Sequence, residues 1–258
     1  MALGALAMRE GESRSPHSRQ VLRICGLAAV AALFDRDPRR VERLFFEDRL
    51  KGEVGSFCRT LAQARKPYRQ VDKTELARIA GTPLHGSVVA IATPQPLADF
   101  DRNAARVWAR NGKPLLVLDG IGNPHNLGAI ARSAAFFGLE RMVLADRPDQ
   151  ALPSDAGYRV AEGGLEHLDL CRAPLPAALF ELREAYRVIG TALGRGAVPD
   201  SLESGLPVAL VFGNEEIGLD PATIAACDQV WSIPGSSRVQ SLNVAAAAAI
   251  LLYLLTRP

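Results

Sequence analysis

Three polar, glycine-containing segments hold the side chains of this 258-residue chain that could do chemistry. The first, residues 119–132, reads DGIGNPHNLGAIAR and contains Asn126 and Arg132. The second, residues 212–219, reads FGNEEIGL, and the third, residues 233–243, reads IPGSSRVQSLN. Carboxylate, amide and guanidinium groups bind polar or anionic ligands, and glycines let a backbone approach a ligand closely. We therefore treat the three segments as candidate binding loops.

An apolar run that predicts a β-strand comes before each of these segments. The predicted strands are Leu115–Leu118, Pro207–Phe212 and Gln229–Ile233, and they alternate with predicted helices such as Asn126–Phe137 and Val244–Leu255. Such alternation indicates a mostly parallel sheet covered on both faces. Ligands of doubly wound α/β folds gather at the carboxyl ends of the strands. The three segments are therefore expected to lie near one edge of the sheet.

Arg132 lies about two turns into a predicted helix that is rich in alanine, isoleucine and phenylalanine. A buried arginine in such a helix is costly unless it meets an anion. An arginine that extends to the surface would need no ligand. Taken alone, the residue leaves both possibilities open.

A nucleotide-dependent oxidoreductase is an alternative enzyme class for an α/β chain. Its G-x-G-x-x-G fingerprint is absent, because the next glycine after Gly122 is Gly128. No C-x-x-C pair occurs, which disfavours a zinc site and a disulfide framework. We expect reduced thiols and no metal. The four cysteines are Cys25, Cys58, Cys171 and Cys227.

Proline, glycine and charge patterns divide the chain into four parts. Residues 1–18 predict a flexible tail, and residues 19–96 predict a small α/β domain. Residues 97–112 predict a linker with a helical stretch over 104–109, and residues 113–258 predict the larger α/β domain. The longest apolar run, Val244–Leu255, is too short to span a bilayer, so we expect a cytoplasmic protein without a membrane segment.

Positive charge is concentrated in the N-terminal part of the chain. Residues 1–96 contain 16 Lys and Arg against 10 Asp and Glu, whereas residues 97–258 contain 14 against 18. This asymmetry is typical of a basic region that meets a polyanion, although a solvated basic surface would give the same count.

The order and spacing of the three segments together resemble the SpoU (TrmH-like) family of RNA ribose 2′-O-methyltransferases, within the SPOUT class. The resemblance covers about residues 113–258. Its motifs are N-P-x-N-x-G-x-x-x-R over 123–132, F-G-x-E-x-x-G over 212–218, and I-P with S-L-N over 233–243. The segment TPLHGSVVA at 82–90 is similar to the L30e-like RNA-binding extension of that family, and AEGGLEH at 161–167 resembles its YfiF-like branch.

The resemblance implies a deep trefoil knot in the larger domain, whose loops hold S-adenosylmethionine. Gly213, Ile233 and Leu242 would contact the adenosine, while Ser241 and Asn243 would stabilise the loop or the cofactor. It further implies a homodimer with the site close to the subunit interface. Ser237 is a departure, because the family often has glycine there, and this could alter the loop around the methionine end of the cofactor.

The resemblance also assigns roles in methyl transfer. Arg132 corresponds to the catalytic arginine of the family, and Asn126, Glu215 and Asn243 would order the site around it. Because the sulfonium already activates the methyl group, no metal is needed. A free arginine keeps its proton at neutral pH, so we favour Arg132 binding a phosphate and stabilising the 2′-alkoxide over Arg132 acting as a base.

The basic N-terminal domain would select the RNA, with ribosomal RNA preferred over transfer RNA. A non-catalytic RNA-binding protein that keeps the fold is the alternative function, and a SPOUT enzyme that methylates a base is another. The candidate phosphate contacts are Arg36, Arg39, Arg40, Arg43, Lys51, Arg65, Lys66 and Arg69.

Overall fold

Two β-sheets organise the chain in the computed structural model, which describes residues 21–194, 196–197, 205–236 and 238–257. The predicted tail over residues 1–18 lies outside the described residues, as does Ser237. None of the helices in the described ranges is long and apolar enough to cross a membrane.

The smaller sheet belongs to the N-terminal unit, which we define as residues 21–96. Its strand order is β1–β4–β2–β3, with β2 parallel to β3 and antiparallel to β4. The third helix begins where the Asp72 side chain accepts a hydrogen bond from the Glu75 N–H, and it ends at Gly81 with φ 69°. The elements are β1 Leu22–Cys25, α1 Leu27–Arg36, β2 Val41–Phe46, α2 Gly55–Gln63, β3 Tyr68–Gln70, α3 Lys73–Ala80 and β4 Val88–Ala92.

The larger sheet has seven strands in the order β11–β9–β10–β6–β7–β8–β5, and all of the pairings between them are parallel. The elements are β5 Ala98–Asp99, α4 Arg102–Ala109, β6 Leu115–Asp119, α5 Pro124–Phe136, β7 Arg141–Ala145, α6 Asp155–Ala161, β8 Asp169–Ala173, α7 Ala177–Leu182, β9 Arg187–Thr191, β10 Val208–Gly213, α8 Pro221–Ala226, β11 Gln229–Trp231 and α9 Val244–Thr256.

The central strands of the larger sheet are buried along their whole length. Every residue of β6 and of β10 is buried, as expected for parallel strands covered on both faces. The predicted α/β class with a second, smaller α/β unit is therefore confirmed. The trefoil knot stays a prediction, because strand order alone does not define how the chain threads.

Several elements differ from the sequence prediction. Strand β8 mixes buried and exposed residues without regular alternation, and helix α6 is short and contains Gly157, so neither gave a clear apolar pattern. Within the predicted linker, β5 pairs with β8 at the edge of the larger sheet, and α4 packs against α7. Helix α7 is also short and comprises only Ala177–Leu182.

Helix α5, which contains the end of the first polar segment, crosses α6 at two glycines. A Cβ placed on Gly128 would lie 2.3 Å from the carbonyl oxygen of Gly157, which no real side chain tolerates. This motif glycine is therefore explained by helix packing. The contact fixes α6, and the turn that follows it, against α5.

The N-terminal unit packs directly on this part of the larger domain. Helix α1 contacts the 3₁₀ turn Gly164–His167, and β1 contacts α6. Leu33 and Leu165 belong to one cluster of buried apolar side chains that runs through both units. Burial of this kind stabilises one arrangement of the two units, since separating them would expose apolar surface to water.

Candidate active site

The first and second loops leave the larger sheet side by side. Strands β6 and β10 are parallel neighbours, and their last residues, Asp119 and Gly213, are directly paired. The expectation that these two glycine-containing segments meet at one edge is confirmed. The third loop follows β11, which is separated from β10 by strand β9. This loop returns to the same edge of the sheet at Asn243.

Glu215 ties the second loop to the first through its carboxylate. Oε2 accepts a hydrogen bond from the Gly122 N–H at 3.1 Å. Oε1 accepts one from the Asn123 N–H at 3.2 Å and one from Asn126 Nδ2 at 2.8 Å. A charged acceptor with three donors is a strong and directional contact, so Glu215 orders both loops at once.

Asn126 extends this connection to the third loop. Its Oδ1 accepts a hydrogen bond from Asn243 Nδ2 at 3.1 Å. The Oδ1 of Asn243 accepts one from the Ala245 N–H at 2.9 Å, so Asn243 also caps α9. The structure thus brings Asn126, Glu215 and Asn243 together.

These hydrogen bonds favour the ionised form of the Glu215 carboxyl group. Partial burial alone would raise the pKa of its carboxyl group, but donation from Asn126 and from the backbone N–H groups outweighs burial. The net result is a pKa below the ordinary value of 4.5.

Gly213 is required by the path of its own loop. A Cβ at this position would lie 2.3 Å from the Leu219 backbone nitrogen. The loop folds back on the strand, since Asn214 and Gly218 exchange backbone hydrogen bonds of 3.0 and 2.9 Å. Contact between Gly213 and a cofactor stays a prediction.

Two further side chains, which the sequence analysis missed, hold the first loop. Asn214 Nδ2 donates to the Gly120 carbonyl at 2.8 Å. Buried Gln150 accepts from the N–H groups of Gly120 and Ile121 at 3.0 and 3.2 Å. Asn214 stands within a quoted motif and could have been found there, whereas nothing near Gln150 in the sequence marks it.

Arg132 is exposed. Of the two possibilities left open by the sequence, a buried arginine is therefore excluded, and the side chain extends to the surface. Its guanidinium pairs with Glu162 at 2.9 Å, and the two side chains are 56% and 57% exposed. Six residues along a helix amount to a rise of about 9 Å and turn the side chain to a different face from Asn126. Accordingly, Arg132 forms no hydrogen bond with Asn126, Glu215 or Asn243 among the contacts of the described residues.

The third loop offers backbone donors beside exposed apolar side chains. From Ile233 to Gly235, and again over residues 239–242, no N–H group donates a hydrogen bond to another described residue. Ser241 and Leu242 are exposed, and Ile233 is half-buried. Val239 of this loop and Ile217 of the second loop are 73% and 75% exposed. A ligand with a flat apolar part and polar edges fits this surface.

The described residues contain no group of three or more His, Cys, Asp or Glu side chains arranged to hold a metal ion. We call the place where Asn126, Glu215 and Asn243 join the three loops the loop junction. Its chemical groups are amides, one carboxylate and backbone N–H groups. It can therefore bind and orient a polar organic molecule.

Most of the predicted phosphate contacts are engaged within the protein. Arg40, one of these predictions, is only 6% exposed and is paired with Glu166, so its assignment as an RNA contact is wrong. Three candidates, Arg43, Lys51 and Arg65, are exposed and form no ion pair with another described residue. The candidates that bond to protein groups are Arg36, Arg39, Arg40, Lys66 and Arg69.

Two family models match the chain in succession. The model described as the SpoU rRNA Methylase family matches residues 113–253. The model described as RNA 2′-O ribose methyltransferase substrate binding matches residues 23–98. Together they cover both units of the fold.

Named relatives match over most of the chain. The 23S rRNA (guanosine-2′-O-)-methyltransferase RlmB of Acinetobacter baylyi is 32% identical over 237 residues, which is 88% of this chain and 94% of that protein. The uncharacterized tRNA/rRNA methyltransferase YfiF of Escherichia coli O157:H7 is 31% identical over 89% of this chain and 66% of that protein.

Solved structures share the fold. An rRNA methyltransferase from Sinorhizobium meliloti superposes with a TM-score of 0.77 at 22% identity, over 93% of this chain and 88% of that one. The SpoU methyltransferase AviRb from Streptomyces viridochromogenes, in complex with the cofactor AdoMet, has a TM-score of 0.74 at 25% identity, over 92% of this chain and 90% of that one.

We predict that Glu215→Gln destabilises the loop junction. A glutamine has one acceptor oxygen, so its NH₂ group would face a backbone donor, and we expect a loss of about 1 kcal/mol in unfolding free energy at pH 7. Because folding lowers the pKa of Glu215, its contribution is present above the ordinary value of 4.5 and is lost as pH falls through the folded-state pKa.

Urea unfolding of the wild-type protein and of Glu215→Gln at pH values from 7 to 3.5 measures the difference in their unfolding free energies. This difference should become smaller as the pH falls. Glu216→Gln is the matched control, since this neighbouring carboxylate accepts no hydrogen bond from another described residue. Equal stability of the two variants at pH 7 would contradict the role given to Glu215.

Proposed function

The chain belongs to the SpoU rRNA Methylase family, and from this membership we propose that it transfers the methyl group of S-adenosylmethionine to a ribose 2′-hydroxyl of RNA. The observation that carries the proposal is the junction at which Asn126, Glu215 and Asn243 join three loops at the carboxyl edge of the sheet. The same helix, α5, continues from this junction to Arg132. The relative from Acinetobacter baylyi is named as a guanosine 2′-O-methyltransferase.

The residues of the second and third loops suit S-adenosylmethionine. Gly213 and Ile233 would offer backbone groups to the adenosine, and Leu242, 47% exposed, would cover its apolar face. Ser241 and Asn243 would hold the loop or the cofactor by hydrogen bonding. When bound, S-adenosylmethionine supplies a methyl group activated by its sulfonium. The carboxylate of Glu215 would add negative charge to a site for this cationic ligand.

Arg132 would orient the substrate. A guanidinium group has hydrogen-bond donors and no acceptor, so Arg132 is not suited to take the proton of the 2′-hydroxyl. An exposed guanidinium can instead bind the adjacent phosphate in a bidentate manner and stabilise negative charge on the 2′-oxygen. The C–S bond of the sulfonium would break as the C–O bond to the ribose forms, leaving S-adenosylhomocysteine, and the 2′-hydroxyl proton would pass to water. The phosphate would replace Glu162, whose pairing with Arg132 is solvent-exposed and therefore weak.

The N-terminal unit would bind the RNA, and this proposal rests on its match to a substrate-binding family model. The exposed cations Arg43, Lys51 and Arg65 are its free phosphate contacts. Ribosomal RNA is the proposed substrate class, because the relative from Acinetobacter baylyi is named for 23S rRNA. A cytoplasmic location follows from that substrate.

An exposed apolar surface supports a homodimer. Helices α5 and α9 pack together, and their outer side chains Phe136, Ile250 and Tyr253 are 82%, 40% and 56% exposed. Contiguous exposed apolar surface marks an interaction site. Phe136 lies one turn beyond Arg132 on the same face of α5, so a second copy seated here would complete the surroundings of Arg132.

We predict that this chain is a dimer at micromolar concentration and that Phe136→Asp with Tyr253→Asp makes it a monomer. Two buried, unpaired carboxylates would oppose association. Sedimentation velocity measures the change. A wild-type monomer at these concentrations would refute the proposed interface.

We predict that Arg132→Ala abolishes methyl transfer to RNA and leaves S-adenosylmethionine affinity within about twofold of wild type, since only the contact to the RNA is lost. Transfer of labelled methyl groups and calorimetric titration of the cofactor measure the two effects. Arg183→Ala, at an exposed arginine of the same domain, is the control and should keep activity. Equal losses of activity and cofactor affinity would argue against the phosphate-binding role.

We predict that replacing Arg43, Lys51 and Arg65 together by glutamine weakens RNA binding and reduces its salt dependence. Each lost phosphate contact should flatten the slope of log K against log salt by about 0.7 to 0.9. Binding to labelled RNA at several salt concentrations measures the slope. The control removes three exposed cations of the larger domain, Arg110, Arg172 and Arg183. Equal slopes for the two triple variants would disprove the assignment.

A further inference from the structure

A buried ion pair joins the N-terminal unit to the methyltransferase domain. Arg40 lies 2.6 Å from Glu166, and the two side chains are 7% and 0% exposed. The same guanidinium donates to the Thr93 carbonyl at 3.0 Å and to the Tyr158 hydroxyl at 3.4 Å. Arg40 and Thr93 come from the N-terminal unit, whereas Tyr158 and Glu166 come from the other, so the guanidinium bridges the two.

Because both side chains of this ion pair are buried, the pair has a high desolvation cost for a contact between two units. Removing two charges from water costs free energy that their attraction repays only in part, and apolar side chains of similar volume often stabilise a protein at least as well. One carboxylate oxygen of Glu166 is buried without a partner among the described groups, which adds to the cost. A directional pair is instead suited to fixing one orientation, since it is satisfied in only one geometry.

The turn that contains Glu166 packs closely against helix α5 at Arg132. A Cβ on Gly164 would lie 2.7 Å from the Cα of Arg132, so the turn and helix α5 are in backbone contact there. On its other side, a Cβ on Gly163 would lie 3.2 Å from the Ala28 carbonyl oxygen of α1. Glu162 begins the turn in the left-handed conformation, at φ 45°, and pairs with the Arg132 side chain.

We propose that residues 162–166 form a coupling turn, through which the docked N-terminal unit sets the position of Arg132 relative to bound RNA, with Arg40 and Glu166 as positioning residues. This inference rests on the proposed function. An RNA held by the N-terminal unit then presents its ribose and phosphate at a fixed distance from Arg132. The pair therefore acts on the alignment of the RNA and leaves the binding of RNA and of cofactor intact.

The test removes both charges while keeping the volume of the side chains, with Arg40→Met and Glu166→Met in one protein. We expect a folded protein whose S-adenosylmethionine Kd and RNA KM stay within about threefold of wild type, and whose kcat falls about tenfold or more, because a misplacement of 1 Å can cost 10²-fold. Amide hydrogen exchange over residues 162–168 should become faster, because the two methionines keep the apolar contact between the units but no longer hold the turn in one orientation.

Asp169→Asn is the matched control, because it breaks the exposed ion pair between Arg36 and Asp169 that also spans the two units. It should keep both kcat and the wild-type exchange rates. Arg40→Lys is the second variant in case the double variant does not fold. It keeps the charge but loses the forked geometry, so a smaller fall in kcat is expected with cofactor affinity unchanged.

A folded double variant with wild-type kcat, or with unchanged exchange over residues 162–168, would overturn the coupling. So would a fall in kcat accompanied by an equal loss of cofactor affinity, since that indicates general damage to the site. If the wild-type protein methylates no RNA, the proposed function fails, and the exchange rates of the double variant still decide whether the pair docks the two units.

Discussion

The carboxylate of Glu215 accepts three hydrogen bonds from the loop that follows β6, and the arrangement of the site depends on this contact. The two loops can meet because β6 and β10 are parallel neighbours that end in register. Gly213 then lets the second loop fold back closely enough to bring Glu215 to the first. Asn126 accepts from Asn243 in turn, so a single network fixes loops that are separated by about a hundred residues of chain.

Helix α5 carries Asn126, at the proposed cofactor site, and Arg132, at the proposed RNA site, on different faces. Its first turn, at Asn126, faces the loops that would hold the cofactor. Two turns later, Arg132 faces Glu162 and the turn on which the N-terminal unit rests. The helix is a rigid spacer of about 9 Å between these points. In the proposed function, cofactor binding and RNA alignment are thereby separated along one element.

Local patterns in the sequence predicted the central sheet and the polar loops that follow its strands, for physical reasons that the structure makes clear. Strands β6 and β10 are buried on both faces and therefore read as continuous apolar runs. Asn126, Glu215 and Asn243 follow these strands or cap a helix, so their spacing indicated that they lie near one another, as they do, while their roles in the reaction stay a prediction. Strand β8 and helix α6 are short and mixed in polarity, and their assignment depends on tertiary packing.

Long-range partners could not be predicted in the same way. Arg40 and Glu166 are 126 residues apart, and nothing near either residue distinguishes a buried arginine from the exposed cations around it. The exposure of Arg132 likewise depends on which face of α5 the turn at residues 162–166 covers. Gln150 holds the first loop from outside every motif. Such contacts exist only once the two units have packed together.

The most direct test of the central claim is methyl transfer from labelled S-adenosylmethionine to total RNA from cells that lack this gene, followed by alkaline hydrolysis. A ribose 2′-O-methyl group blocks cleavage of the adjacent phosphodiester, so the proposed activity predicts label in an alkali-resistant dinucleotide, within the ribosomal RNA size class. Label in mononucleotides would show that a base is methylated. No label, from a protein that binds the cofactor and the RNA, would contradict methyl transfer to the ribose.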